Sequence, residues 1–279
     1  MPDNAAARHE RRIPVGVDPS RASIARVYDA FLGGKDNYEV DRQVRDKVLE
    51  AAPEARDLAF ENREFLIRAC RFLASQTDIY QFLDCGSGLP TAENIHQVVQ
   101  RINPDARVVY IDNDPVVLAH GRALLEENDD THFVSADIFQ PREILDNELI
   151  RKYIDFTRPL AFLQLGTLHH YEGGSDAPAA IMREFIDALP SGSYVAISHF
   201  LDPENEHSTV ARKMEEVFRH SPMGSGTFRT MPEIEALFDG LELVDPGVVR
   251  CADWWPDGPR IGELNQCQHC IAGAVGRKP

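Results

Sequence analysis

Three carboxylates, each at the end of a short apolar run, are the residues whose spacing most clearly indicates chemistry. Asp84, Asp112 and Asp137 close the runs IYQFLD, RVVYID and HFVSAD. Such runs are typical of buried strands in a parallel sheet, and ligands bind to these sheets outside the carboxyl ends of the strands. Acidic side chains at three successive strand ends therefore predict a polar binding site at one edge of a sheet.

A glycine-containing turn, Asp84-Cys85-Gly86-Ser87-Gly88, follows the first of these strands. Glycines let a backbone approach a nucleotide-like ligand closely, although an ordinary tight turn also accounts for two of them. Asp112 follows Gly88 by 24 residues, a position from which an acidic side chain binds ribose hydroxyls. Asp137 is placed where a carboxylate can accept from an adenine amino group. The predicted cofactor contacts are Asp84, Gly86, Ser87, Gly88, Asp112, Asn113, Asp137 and Ile138.

The turn favours an adenosine ligand without a pyrophosphate. A dinucleotide site has a third glycine that packs the helix against the strand, whereas Leu89-Pro90-Thr91 follow Gly88 here. The phosphate-binding sequence G-x-x-x-x-G-K-[ST] is absent as well. The predicted cofactor is therefore S-adenosyl-L-methionine (SAM), and a nicotinamide-dependent oxidoreductase is the disfavoured alternative.

The elements that must position these residues follow from the alternation of apolar runs and helical periods after about residue 76. This pattern predicts an α/β domain over residues 76–279, with a parallel sheet and helices on both faces. Two closing strands are expected in LELVDPGVV and HCIAGAVG. Residues 21–75 predict a helical extension or lid of three helices, the third with arginines opposite its apolar stripe. Residues 1–20 are expected to be flexible.

Several segments resemble the actinobacterial SAM-dependent methyltransferase family formerly classed as a domain of unknown function. They are DCGSGLPT, YIDNDPVVLAHGRALL, the triplet SAD and the N-terminal ARVYDAFLGGKDNYEVDR. The resemblance spans residues 19–278 and implies a class I methyltransferase (Rossmann-like) fold. Its seven-stranded sheet would have the order 3-2-1-4-5-7-6, with an antiparallel last strand. The chain departs from the family at Cys85 and at His170, and the second departure leaves the preference of the acceptor pocket open.

The resemblance also implies catalytic candidates, because in class I methyltransferases the segment after the fourth strand faces the transferred methyl group. Gln164 and His169 are the polar residues there, and Gln164 is expected to contact the cofactor too. Methyl transfer needs the two reactants at near-attack distance and sometimes a base, which a histidine can provide near neutral pH. The alternative is a structural His169 whose ring bonds to the backbone.

The segment Gly33-Gly34-Lys35-Asp36-Asn37-Tyr38 has two interpretations. It is either a helix stop followed by the cap of the next helix, or a glycine-hinged loop that closes over the cofactor. The family string favours the second. Since the methionine carboxylate of SAM needs a cationic or backbone donor, and the turn at Gly86–Gly88 leaves room for another, we expect Lys35 or Arg26 near it.

Composition narrows the partners. The chain of 279 residues has 29 Lys and Arg against 45 Asp and Glu, a net charge of −16, which argues against a nucleic-acid partner. Since the chain has neither a long apolar run nor a secretion signal, a cytoplasmic protein with no membrane partner is expected. The expected acceptor is a small molecule.

Cys251, Cys267 and Cys270 lack a fourth ligand, so no metal is predicted. Trp254-Trp255 either line an acceptor pocket or pack on the sheet rim. A non-catalytic SAM-binding sensor is the alternative function.

Overall fold

The computed structural model describes residues 17–90, 93–124, 128–174 and 176–279. The expected flexible segment 1–20 thus lies outside the described residues, apart from its last four. Three helices open the described chain: α1 (Ile24–Leu32), α2 (Glu39–Ala51) and α3 (Ala55–Gln76). Ser23 caps α1 by accepting from the backbone N–H of Arg26, and the helix ends at Gly33 in the left-handed conformation. These helices match the predicted helical extension.

Five parallel strands form the centre of the sheet: β1 (Gln81–Cys85), β2 (Arg107–Asp112), β3 (Thr131–Ser135), β4 (Ala161–Leu165) and β5 (Tyr194–Phe200). Three further strands complete it: β6 (Glu242–Leu243), β7 (Val249–Arg250) and β8 (Ile271–Arg277). The order is β3-β2-β1-β4-β5-β8-β6, with β8 antiparallel to β5 and β7 also paired to β8. The predicted class I order is confirmed, with β8 as its antiparallel last strand.

The number of strands differs from the expected seven, because LELVDPGVV forms two short strands instead of one. Pro246 has no N–H to donate to a ladder, and the N–H of Gly247 turns back to the carbonyl of Val244 at 2.9 Å. Both halves, β6 and β7, still pair with β8.

Seven more α-helices among the described residues cover the two faces of the sheet: α4 (Ile95–Gln100), α5 (Pro115–Leu124), α6 (Pro141–Leu145), α7 (Glu148–Tyr153), α8 (Ala177–Ala188), α9 (Ser208–His220) and α10 (Met231–Glu235). Successive strand residues point to opposite faces, so Phe82 joins one core and Leu83 the other. The first core contains α1–α5 and α9, and the second contains α6, α7, α8 and α10. Both faces are buried, which explains the apolar runs of the strands.

Helix α3 does not present all its arginines to solvent, contrary to the simple amphipathic expectation. Arg68 is buried and donates to the carbonyls of Trp254, at 3.0 Å, and Cys251, at 2.7 Å. The segment 251–255 covers that face of α3. Within the described part of the chain, no helix combines the length and apolar character needed to cross a membrane.

Candidate functional site

A cavity of about 710 Å³ lies at the carboxyl ends of the parallel strands, facing α1, α3 and α9. Its volume is within the range of about 300–1,000 Å³ common for small-molecule sites. The structure brings the predicted strand-end residues together on its wall: Asp84, Gly86, Ser87, Gly88, Asp112, Asn113, Asp137 and Ile138.

The turn after β1 requires its glycines for two different reasons. At Gly86 the backbone has a φ of +88°, and a Cβ there would lie 2.4 Å from Cγ2 of Thr167. At Gly88, φ is +64° and a Cβ would meet no atom within 4 Å. Gly86 therefore allows the β1 and β4 loops to approach each other, whereas the space beside Gly88 is open for a ligand.

Two of the acids are oriented by the backbone around them. Asp112 accepts from the N–H of Gly88 at 3.0 Å and from the N–H of Asp114 at 2.9 Å. Asp137 accepts from the N–H of Phe139 at 2.9 Å. A carboxylate has about four acceptor positions, so each side chain keeps capacity for a ligand. Burial raises the pKa of Asp112 to about 6, against the lowering effect of these backbone hydrogen bonds.

Asp84 and Arg63 place opposite charges on the cavity wall. Asp84 is only 4% exposed, and burial raises its pKa to about 7, with Arg63 acting in the opposite direction and Asp112 in the same one. Arg63, on α3, has an Nη2 atom that is buried without a hydrogen-bond partner in the described structure. A buried guanidinium nitrogen left unpaired is costly, so this atom indicates the place of an anionic ligand group.

Sequence reasoning missed Arg63. The signal was present in α3, where the polar pair Asn62-Arg63 follows Leu58 and Ala59 by four residues, and all four line the cavity. Four residues make about one helical turn, so the polar pair shares a face with the apolar one.

Of the four other predicted site residues, Arg26, Lys35 and Gln164 do not line the cavity. Arg26 is buried in an ion pair with Asp41, with 2.9 Å between Nε and Oδ2, because its side chain turns from α1 towards α2. Lys35 is exposed in the loop after α1. Gln164 is buried: its amide donates to the carbonyl of Ile138 at 3.4 Å and accepts from the Thr167 hydroxyl at 2.5 Å. It joins the loops after β3 and β4.

His169 lines the cavity, but its protonation does not suit a general base. Its Nδ1 accepts from the backbone N–H of Phe200 at 3.3 Å, and its ring stacks on that of Phe200 with centroids 3.5 Å apart. Burial holds the pKa of His169 well below its usual value, and the nearby His170, His199 and Arg229 lower it further. The ring is neutral with its proton on Nε2, so His169 can donate a hydrogen bond and has no lone pair to offer.

His170 is neutral as well. Its Nδ1 lies 3.1 Å from the Ser225 hydroxyl, and burial lowers its pKa to about 4. A neutral imidazole has one donor and one acceptor nitrogen, so the ring of His170 keeps one lone pair. His170 was noted in the sequence only as a departure from the family pattern.

The segment before α1 and α1 itself form one wall of the cavity, through Arg21, Ala22, Ser23, Ile24, Ala25, Tyr28 and Phe31. The hydroxyl of Ser23 donates to Asp114, which follows β2. Tyr28 accepts from the Asn62 amide at 3.0 Å and donates to the carbonyl of Ala59 at 3.1 Å, which fixes α1 to α3. The glycine segment 33–38 is not part of this wall.

The pair Trp254-Trp255 has a structural role. Trp254 is fully buried and packs edge-on against Phe65 and Phe72, with centroids 5.4 and 5.8 Å apart, so the packing alternative holds for it. Trp255 is exposed, and its indole donates to the carbonyl of Asp245. Among the residues that the structure describes, no group of three or more His, Cys, Asp and Glu could hold a metal ion.

Comparisons with known proteins agree with this architecture. Residues 10–279 match the model of a family described as S-adenosyl methyltransferase. A Thermobifida fusca protein, provisionally assigned as a methyltransferase, is 43% identical and superposes with a TM-score of 0.90 over 96% of this chain and 99% of that one. A DUF574 family protein from Streptomyces avermitilis is 37% identical, with a TM-score of 0.87 over 94% and 99% of the two chains.

A more distant likeness supports the fold alone. The N-methyltransferase NodS from Bradyrhizobium japonicum, solved with S-adenosylhomocysteine (SAH), is 13% identical, with a TM-score of 0.51 over 91% of this chain and 99% of NodS. No curated protein matches the sequence. The family match and the two closely similar structures leave the nicotinamide alternative without support. The chain belongs to the S-adenosyl methyltransferase family and is a SAM-dependent methyltransferase.

Proposed function

We propose that the protein methylates a small molecule that binds in the same cavity as SAM. The observation that supports this is the extent of the cavity: about 710 Å³ that reach from the acids after β1, β2 and β3 to apolar side chains of β5 and α9. The acids suit an adenosine, and the apolar part has room for a second molecule. One shared cavity brings two reactants to near-attack distance.

The residues present fit SAM group by group. Asp112 would bind the ribose hydroxyls, and Asp137 the adenine amino group. Asp84 would bind the ammonium of the methionine moiety, and the unpaired Nη2 of Arg63 would bind its carboxylate. The open space at Gly88 lets the backbone approach the cofactor. Arg63 thus takes the role that the sequence suggested for Lys35 or Arg26.

The chain itself has little covalent chemistry to perform. SAM, when bound, supplies an electrophilic methyl group: a lone pair of the acceptor bonds to the methyl carbon while the carbon–sulfur bond breaks and leaves its electron pair on sulfur. His169 would donate a hydrogen bond from Nε2 to the acceptor. The acceptor nitrogen of the neutral His170 ring would receive the acceptor's proton and, since the pKa of this residue is about 4, release it to solvent. Gln164 would act only by positioning the loops.

The placement of the methionine moiety is tested by calorimetry with two cofactor products. SAH has the amino-acid group, whereas 5′-methylthioadenosine lacks it. Arg63→Gln should weaken SAH binding by about tenfold to a hundredfold, the effect of losing hydrogen bonds to a charged group. Affinity for 5′-methylthioadenosine should stay at the parent value.

Arg71→Gln is the matched control. Arg71 lies on the same helix, is exposed and pairs with Asp257, so both affinities should be unchanged. Failure of the parent protein to bind SAH would contradict the proposed function. Equal weakening of both ligands by Arg63→Gln would contradict the role of Arg63.

A further inference from the structure

The part of the cavity away from the acids has a distinct lining. We name it the aromatic chamber, and it consists of Phe31, Leu58, His169, His170, Phe200, Met214, Phe218 and Met223. Its rings are continuous: Phe200 stacks on His169, with 3.5 Å between centroids, and lies 5.7 Å from Phe218, which lies 6.4 Å from Phe31. The chamber is therefore bounded by ring faces and edges from β5, α9 and α1.

Strand order separates this chamber from the charged end of the cavity. The acids follow β1, β2 and β3, whereas His169, His170 and Phe200 follow or end β4 and β5, on the other side of β1. The charged residues in the described cavity lining are Arg21, Arg63, Asp84, Asp112, Asp114 and Asp137, and none of them is in the chamber. The nearby buried Arg229 does not line the cavity and contacts Nε2 of His199 at 2.7 Å. A buried charged ligand without a partner is strongly destabilised, so the chamber lining disfavours both anions and cations.

The two histidines add polarity without charge. Burial lowers the pKa of both rings, that of His170 to about 4, so neither is protonated near pH 7. The Phe200 backbone N–H holds His169 as a donor, and the neutral ring of His170, with Nδ1 beside the Ser225 hydroxyl, has one donor and one acceptor nitrogen. A neutral hydroxyl or N–H group, which both accepts and donates, complements this pair.

We propose, resting on the proposed function, that the methyl acceptor is an uncharged aromatic molecule whose ring lies in the aromatic chamber and whose hydroxyl or N–H group faces His169 and His170. Offset and edge-to-face ring contacts stabilise a bound aromatic ring beyond the effect of the buried area. The sulfur atoms of Met214 and Met223 suit ring edges as well.

Four probes of one shape test this with the SAH-saturated protein. They are 2-naphthol, which is neutral, the anion 2-naphthoate, the cation 2-naphthylmethylammonium and the saturated alcohol decahydro-2-naphthol. Calorimetry should show 2-naphthol bound at least about tenfold more tightly than each of the others, since a tenfold ratio is only 1.4 kcal/mol. Tighter or equal binding of either ion, or of the saturated alcohol, would overturn the proposal.

Two variants test whether 2-naphthol binds in the aromatic chamber. Met223→Glu, at a half-buried position of the chamber wall, should weaken 2-naphthol by about tenfold or more and leave SAH affinity unchanged. Met231→Glu, at the start of α10 in the opposite core, is the matched control and should change neither. An unchanged affinity for 2-naphthol in Met223→Glu would overturn the proposal. If the parent protein binds SAH but not 2-naphthol, only the proposed acceptor class is overturned. If the parent protein does not bind SAH, the proposed function is overturned as well.

Discussion

Asp84 and Arg63 lie in a shared buried environment on the cavity wall. Asp84 has a pKa raised to about 7 because burial outweighs the attraction of Arg63, and Arg63 keeps a buried Nη2 without a hydrogen bond. A ligand with an ammonium and a carboxylate would give Asp84 and Arg63 each a partner of opposite charge. The amino-acid end of SAM is such a ligand, so these two residues connect the electrostatics of the site to its cofactor.

This pair predicts how cofactor affinity depends on pH. Without a ligand, Asp84 is protonated below about pH 7, and a neighbouring ammonium would lower its pKa, so binding would release a proton there. SAH affinity should therefore rise with pH, by roughly tenfold per unit below pH 7, and level off above it. Calorimetry at pH 6, 7 and 8 measures this.

5′-Methylthioadenosine is the control, because it has no ammonium. Its affinity should therefore lack the pH dependence that Asp84 causes. Asp112, with a pKa raised to about 6, would act on both ligands alike and cancels in the comparison. An SAH affinity that follows that of 5′-methylthioadenosine across this range would refute the ammonium partnership of Asp84.

How far the sequence predicts a site residue depends on how local its signal is. The strand-end acids were found because a short apolar run and the acid that ends it are neighbours in sequence. Arg63 and Phe200 were not assigned to the site, because their positions depend on how α3 and β5 pack in three dimensions. The proton-donating form of His169 depends on the Phe200 backbone N–H, a contact across 31 residues that no motif encodes.

At the scale of elements, α1 is fixed to the cavity by polar contacts at its first turn. Ser23 accepts from the N–H of Arg26 at 3.4 Å and donates to Asp114, which itself caps α5 by accepting from the N–H of Val116 at 2.7 Å. Arg26 joins α1 to α2 through Asp41. The start of α1 is thus tied both to the loop after β2 and to its neighbouring helix.

Ser23→Ala should loosen α1 over the cavity. Loss of a Ser cap destabilises a helix by about 0.5–2 kcal/mol, so amide exchange in α1 should accelerate by about twofold to thirtyfold. Hydrogen exchange read by mass spectrometry on residues 24–32 measures this, and added SAH should slow exchange there in the parent protein.

Ser20→Ala is the control for this experiment. Ser20 is exposed and bonds only within its turn, to Asp18, so exchange in α1 should be that of the parent. Parent-like exchange in Ser23→Ala would show that the cap does not secure α1.

Elements with strong periodicity were predicted well, and those set by tertiary contacts were not. The three helices expected from apolar spacing in residues 21–75 are present as α1, α2 and α3. The division of LELVDPGVV into β6 and β7 follows from pairing with β8, which lies later in the chain. The separation of residues 21–75 from 76–279 as a lid and a domain stays a prediction.

For the whole molecule, charge distribution limits the acceptor. The chain has 45 acidic and 29 basic residues, a net charge of −16, whereas proteins that bind nucleic acid through phosphates present clustered Lys and Arg. The positive side chains in the described lining of the cavity are Arg21 and Arg63, and the second is assigned to the methionine carboxylate. At long range, a protein with this net charge repels DNA and RNA.

Transfer of labelled methyl groups should therefore end in small molecules. Incubated with methyl-tritiated SAM and an actinobacterial cell extract, the protein should place label in the fraction of low molecular mass and leave the nucleic-acid and protein fractions at background. Asp112→Ala, which removes the proposed ribose contact, should abolish the label, whereas Asp105→Ala, at an exposed acid before β2, should retain it. Label in RNA or DNA that is lost in Asp112→Ala would contradict this prediction. The acceptor would then be a polymer that binds despite the net charge of −16.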